Sequence, residues 1–210
     1  QVSDQLAFRN IHYFAAAVTQ YGTEAKGGYE YEGKSYDIKF THVDGYDTCQ
    51  ACHSPHSLEV QVDQCATCHQ DVQTAADLLK IRMAGSGADY DGDGDMQEGI
   101  QAEIDGLQAM LLQAIQSYAQ EVAPTGIVYD SATYPYFLID KNSNGQVDED
   151  EKARENGYTA WTARLLKAAY NFHLSQKDPG EYAHGGKYVI ELLFDSIDDQ
   201  EVANALFEAV

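Results

Sequence analysis

Cys49-Gln50-Ala51-Cys52-His53 and Cys65-Ala66-Thr67-Cys68-His69 are two copies of one pattern, and together they use all four cysteines of the 210-residue chain. The spacing Cys-x-x-Cys-His puts two thiols where they can form thioethers with the vinyl groups of a haem. It also puts the next imidazole beneath the iron as proximal ligand. Residues 42–69 show neither helical nor strand periodicity, as expected where a cofactor supplies the core. The motifs predict a dihaem cytochrome c, mostly α with irregular haem-binding coil.

Three other uses of paired cysteines meet the sequence less well. A four-cysteine zinc site gives no reason for a histidine after both pairs. A thioredoxin-like motif needs one pair at a helix start in a βαβ setting. Two disulfides would close two-residue loops, an uncommon staple. Covalent haem is attached outside the cytoplasm, so the motifs predict a periplasmic or extracellular protein, and Gln1 in place of an initiator Met agrees with a removed leader.

Beyond His53 and His69, five histidines compete for the distal positions: His12, His42, His56, His173 and His184. His56 follows His53 by three residues, which span at most ~10 Å, too little to wrap around a porphyrin edge. His56 therefore points to the haem on Cys65 and Cys68. His42, on an extended lead-in before Cys49, is the matching choice for the first haem, with His12 its rival. His12 lies in an apolar stretch that reads as an amphipathic helix. His184, flanked by Ala183, Gly185 and Gly186, would let a porphyrin approach closely, and His173 reads as a packing or surface residue. Met83, Met96 and Met110 read as core or loop filling.

Two acidic stretches carry a second chemistry. Asp140 to Glu151 meets the twelve-residue EF-hand loop with Asp140, Asn142, Asn144, Asp148 and Glu151 as oxygen ligands. Gln146 contributes its backbone carbonyl and Gly145 the sharp turn. Asp89, Asp91, Asp93 and Asp95 repeat the opening, but Ile100 stands where the closing Glu belongs. Glu98 is read as the closing carboxylate of a variant calcium loop. Pro135 disfavours a helix before the second loop, so both are expected to be isolated loops binding one or two structural calcium ions.

Acidic residues outnumber basic ones 34 to 13, a formal net charge of −21. That balance argues against nucleic acid and anionic membranes as partners and favours bound cations and a basic protein partner. The longest apolar runs fall far short of the ~20 residues of a membrane span.

Periodicity predicts helices over about 3–21, Asp71 to Met83, Glu98 to Val122 (ending before Pro124), Thr159 to Gln176, Lys187 to Ser196 and Gln200 to Ala209. A short β-hairpin is expected around Glu32-Gly33. The division expected is a dihaem-binding module over 1–86 and a helical calcium-binding module over 87–210 packed on it, possibly as one domain.

Thr41-His42-Val43, Cys49 to His53 with Ser54-Pro55-His56, and Cys65 to His69 resemble the doubled haem-motif segment of bacterial and archaeal multihaem c-type cytochromes. Asn10-Ile11-His12-Tyr13 and Lys177-Asp178-Pro179-Gly180 with Ala183-His184 look more loosely like flanking parts of large extracytoplasmic polyhaem cytochromes. The resemblance implies bis-histidine, low-potential, closely spaced irons, although this chain has two haem motifs where the larger members have many. In some members it implies haem-lined filaments in which a neighbour supplies a distal histidine. The function expected is electron transfer rather than enzymatic catalysis, with a basic redox partner. The alternatives are a filament subunit with inter-subunit haem ligation, and a peroxidase or reductase with one open iron.

Overall fold

A computed structural model describes residues 1–82, 85–123 and 125–208, with side-chain surroundings through residue 200. Met83, Pro124 and Ala209, which the expected helix boundaries touch, lie outside the described residues. After an extended N-terminal segment, α1 (Ala16–Tyr21) runs into a 3-10 turn at Gly22–Glu24. Three one-turn helices follow, α2 (Cys49–Cys52), α3 (Val62–Cys65) and α4 (Ala75–Leu78), and then the long α5 (Ile100–Val122). Strands β1 (Gly126–Tyr129) and β2 (Phe137–Asp140) pair antiparallel. Helices α6 (Ala163–Gln176), α7 (Glu181–His184) and α8 (Gly186–Glu208) complete the chain.

The core is the meeting of α5, α6 and α8, with the two-stranded sheet against α5. Ile100, Ile104, Leu107, Leu111 and Ile115 form one buried stripe on α5 and meet Leu165, Ala168 and Phe172 of α6 and Val189, Leu193 and Ile197 of α8. Each fully buried aliphatic side chain of this kind contributes about 1.5–3 kcal/mol. By contrast, α2 and α3 bury no residue. One-turn helices are not stable alone, so the segment carrying both cysteine motifs is held by turns rather than by a core of its own.

The chain is mostly helical with a small antiparallel sheet, as expected, but several elements differ from the periodicity reading. Residues 3–15 are not a helix. Leu6, Phe8 and Asn10 turn inward while Ala7 and Arg9 face solvent, the period of two that belongs to extended chain. Phe8 anchors this segment against Phe137, Trp161 and His173, with ring centroids 4.9, 5.8 and 5.2 Å away.

The tyrosine-rich stretch after Gly27 turns at Glu32-Gly33 but forms no ladder. Its polar groups go to the helices instead: Tyr29 N donates to Asn171 Oδ1 at 2.6 Å and Tyr36 OH to Asp195 at 2.7 Å. The hairpin lies at β1–β2, where Ile127, Val128, Phe137 and Leu138 are all buried. Of the helix expected from Asp71, only α4 forms, fixed by a capping box between Thr74 and Asp77.

The two closing helices are one continuous α8. The acidic run Asp198-Asp199 lies within it, with Lys34 paired to Asp198 at 3.3 Å and Arg164 to Asp199 at 3.5 Å. No described helix is long and apolar enough to cross a membrane.

Candidate functional site

Both cysteine motifs adopt the same backbone turn. His53 N donates to Cys49 O at 2.8 Å and His69 N to Cys65 O at 2.9 Å, so each histidine closes the turn that carries its two thiols. Between the motifs the chain doubles back. His53 bridges Val60, and Gln61 N donates to Cys52 O at 2.8 Å, which brings α3 beside α2. His56 sits at the exposed tip of this reversal.

All four thiols are unpaired, and burial pushes those of Cys52 and Cys65 up. Among the described residues, the only groups of three or more metal-ligand side chains within reach of one ion are carboxylates. No disulfide joins the cysteines in this structure, and among the described residues no cysteine belongs to such a group.

The imidazoles, by contrast, come in two facing pairs. His53 and His184 have ring centroids 6.1 Å apart with planes at 38°, and His42 and His69 have centroids 6.1 Å apart with planes at 46°. A metal bound by two imidazole nitrogens at about 2 Å each separates the ring centroids by roughly 6 Å. Both separations equal that distance, and each pair contains one motif histidine.

Nitrogen availability agrees. His53 Nδ1 lies 2.8 Å from Leu58 O, and His184 Nδ1 lies 2.8 and 2.9 Å from the two oxygens of Asp178. With Nδ1 so engaged, Nε2 is the nitrogen left to a metal. Val43, next to His42 in sequence, and Leu58 and Val60, whose backbones contact His53, are exposed apolar residues, surface that a porphyrin could cover. The residues fit the haems implied by the motifs.

The chain brings His42 to the second motif and His184 to the first. His56 is exposed, and among the described residues the ring found beside His69 is that of His42. His12 is not on a helix; it lies on the extended segment, exposed, with its ring 4.8 Å from that of Tyr13. His173 is fully buried in an aromatic cage of Phe8, Tyr129 and Tyr136, its Nδ1 3.0 Å from Tyr129 OH. Burial, then the nearby Lys177, lower its pKa to about 4. It is a packing residue, one of the two roles expected for it. Met96 and Met110 are exposed and pair with no motif.

Both acidic loops share one hydrogen-bond frame. The first-position aspartate takes the amide of the sixth-position glycine, Asp140 from Gly145 at 2.8 Å and Asp89 from Gly94 at 2.8 Å. Those glycines have φ of 75° and 97°, the left-handed region that only glycine enters without cost. In the second loop the buried Glu151 folds back, its carboxylate accepting from Lys141 N at 2.7 Å and Asp148 N at 3.1 Å.

In the first loop the residue with that role is Glu103, which the sequence reading missed. Its Oε2 accepts from Tyr90 N at 2.7 Å, the position equivalent to Lys141, and its Oε1 from Arg82 at 2.6 Å. Glu98, expected to close the loop, lies within one ion's reach of Asp91 and Glu103. Burial and then the like charges of Asp93 and Asp91 push its pKa up. The missed signal was an acid on the apolar stripe of α5, between Ile100 and Ile104.

Asp178, also unanticipated, is 1 % exposed. Beside it Glu181 is pushed well above the carboxylate range by burial and then by Asp178.

No family model and no solved structure matches the chain. Three curated proteins do. The C-type polyheme cytochrome OmcC of Geobacter sulfurreducens is 31 % identical over an alignment of 214 residues, covering 92 % of this chain and 26 % of the relative. The C-type polyheme cytochromes OmcB of two strains of the same organism are each 31 % identical over the same share of this chain and 27 % of their own length. The chain spans about a quarter of the length of the curated relatives it matches. By sequence it is similar to one segment of these longer multihaem c-type cytochromes, which supports the expectation drawn from its two Cys-x-x-Cys-His motifs.

Proposed function

We propose that the chain transfers electrons outside the cytoplasm through two covalently attached c-type haems. One is held by Cys49, Cys52 and the pair His53/His184, the other by Cys65, Cys68 and the pair His69/His42. The observation that carries this reading is the twin 6.1 Å separation of two imidazole pairs, each containing a motif histidine. Bound haem supplies a one-electron couple; the chain supplies four thioether sulfurs, four axial nitrogens and an acidic exterior. Two strong axial ligands leave no open position for substrate chemistry, which favours a carrier over a peroxidase or reductase. This pairing revises the distal assignment drawn from spacing, moving His42 to the second haem and replacing His56 by His184.

In the same reading the acidic loops hold structural calcium. Asp140, Asn142, Asn144, Asp148 and Glu151 serve one ion, with the carbonyl of Gln146. Asp89, Asp91, Asp93, Glu98 and Glu103 serve the other, with Asp95 at the exposed edge. The haem-bearing region up to residue 86 then docks on a helical, calcium-bearing remainder. The net charge of −21 directs the chain to a basic redox partner, with an association rate that falls as salt rises.

Maturing the chain in a host with extracytoplasmic cytochrome c assembly tests the reading. Two haems per chain, resistant to acid acetone, with a wholly low-spin oxidised spectrum support it. A colourless product or a high-spin fraction of one half contradicts it. A second reading, of contact with a haem carried elsewhere, is favoured by His12, which is exposed beside Tyr13 and Phe14, themselves about 80 % exposed. Spin-label or crosslink mapping of His12 in the assembled protein distinguishes that from an idle surface residue.

A further inference from the structure

The two imidazole pairs are not equivalent in what stands behind them. His42 and His69 have no side-chain hydrogen-bond partner among the described residues. His53 gives its Nδ1 to a backbone carbonyl, Leu58 O, at 2.8 Å. His184 faces a carboxylate, with both oxygens of Asp178 within 2.9 Å of its Nδ1.

That contact is built rather than incidental. Asp178 is 1 % exposed, and its Oδ1 also accepts from Gly180 N at 3.1 Å, which fixes the carboxylate on the turn leading into α7. His184 N donates to Gly180 O at 3.0 Å, so one turn of backbone holds both partners. A Cβ on Gly180 would lie 2.7 Å from His184 Cε1 and 3.2 Å from Nδ1. The ring is thus seated against a position only glycine leaves open.

A carboxylate accepting the Nδ1 proton raises the basicity of the imidazole and its donation through Nε2. The effect is strong where water is excluded and the hydrogen bond is charge-assisted. Greater donation stabilises ferric over ferrous iron, and the buried negative charge acts in the same direction. A neutral carbonyl does less, and no partner does least.

We propose that Asp178 is a positioning residue that makes His184 the most electron-donating of the four axial imidazoles. It thereby sets the haem on Cys49 and Cys52 at a lower reduction potential than the haem on Cys65 and Cys68. A single electron shared by the pair then resides on the second haem, which gives the chain a direction. This inference rests on the axial pairing proposed above.

The test is potentiometric titration of the haem-loaded chain, followed by visible absorbance, in wild type, Asp178→Asn, Asp178→Glu and Gly180→Ala. In Asp178→Asn the lower of the two midpoint potentials moves positive while the upper stays. Asp178→Glu restores it toward wild type. Gly180→Ala, which displaces the ring and keeps both side chains, gives the same positive shift should Asp178→Asn not accumulate. Unchanged potentials in low-spin, fully loaded variants overturn the role of Asp178 and leave the haem reading intact, as does a shift confined to the upper potential. Loss of haem from wild type overturns the haem reading itself.

Discussion

The imidazole of His53 faces that of His184 with 6.1 Å between ring centroids, although one lies in the irregular first half of the chain and the other at the end of α7. Removing His184 should therefore affect the haem on Cys49 and Cys52 and spare its neighbour. In His184→Ala, half of the pigment is expected to become high-spin and to bind carbon monoxide when reduced. His56→Ala should keep the wild-type spectrum. The reverse pattern would restore the pairing drawn from spacing.

His42→Ala should produce the complementary half-loss, at the haem on Cys65 and Cys68. Added imidazole is expected to return the low-spin spectrum in each single variant, because the proximal histidine and both thioethers remain. Magnetic circular dichroism of the double variant His42→Ala/His184→Ala should show no low-spin iron at all.

Glu103 is fully buried and ion-paired to Arg82 at 2.6 Å, whereas Glu98 is partly exposed. Breaking a buried pair from one side leaves an uncompensated charge, at about 3–5 kcal/mol. Glu103→Gln should thus lower unfolding stability by roughly 3 kcal/mol, and Glu98→Gln by less than about 1 kcal/mol. Urea unfolding of both variants at one fixed calcium concentration makes the comparison.

Calcium should raise the melting temperature, since an ion that binds only the folded state stabilises it by about 2.7 kcal/mol at a hundredfold excess over Kd. Glu151→Gln should abolish part of that rise and leave the haem spectrum untouched. Differential scanning calorimetry with calcium and with a chelator measures both. Equal melting curves in the two conditions would remove calcium from the account.

His173 supplies a pH dependence with a definite sign. Burial, followed by Lys177, holds its folded pKa at about 4, below the unfolded value near 6.5. Between those values the unfolded chain binds more protons, so stability falls as pH drops from about 6.5 to about 4, by roughly 3 kcal/mol in all. Above pH 7 the group contributes no slope. His173→Phe should flatten this part of the curve while costing about 1 kcal/mol at pH 7.5 through the lost Tyr129 hydrogen bond. Chemical unfolding at half-unit pH steps reads it.

The sequence by itself determined the arrangements that depend on close spacing. Cys-x-x-Cys-His fits within one turn, and Asp140 to Glu151 within one loop, so their polar side chains are neighbours whatever the rest of the chain does. It also determined α5, because the stripe from Ile100 to Tyr118 repeats long enough to permit one helix face. The N-terminal helix failed because an apolar run of a dozen residues satisfies more than one period, and Phe8 gains more by reaching Trp161 and Phe137 than by turning in a helix of its own. Only the tertiary structure decided which distant side chain completes each site. His184 reaches His53, Asp178 stands behind His184, and Glu103 closes the Asp89 loop because the packing of α5 and α8 and the turn into α7 set them there. Contacts between residues far apart in the chain leave no period and no spacing to read; they follow from how the helices meet.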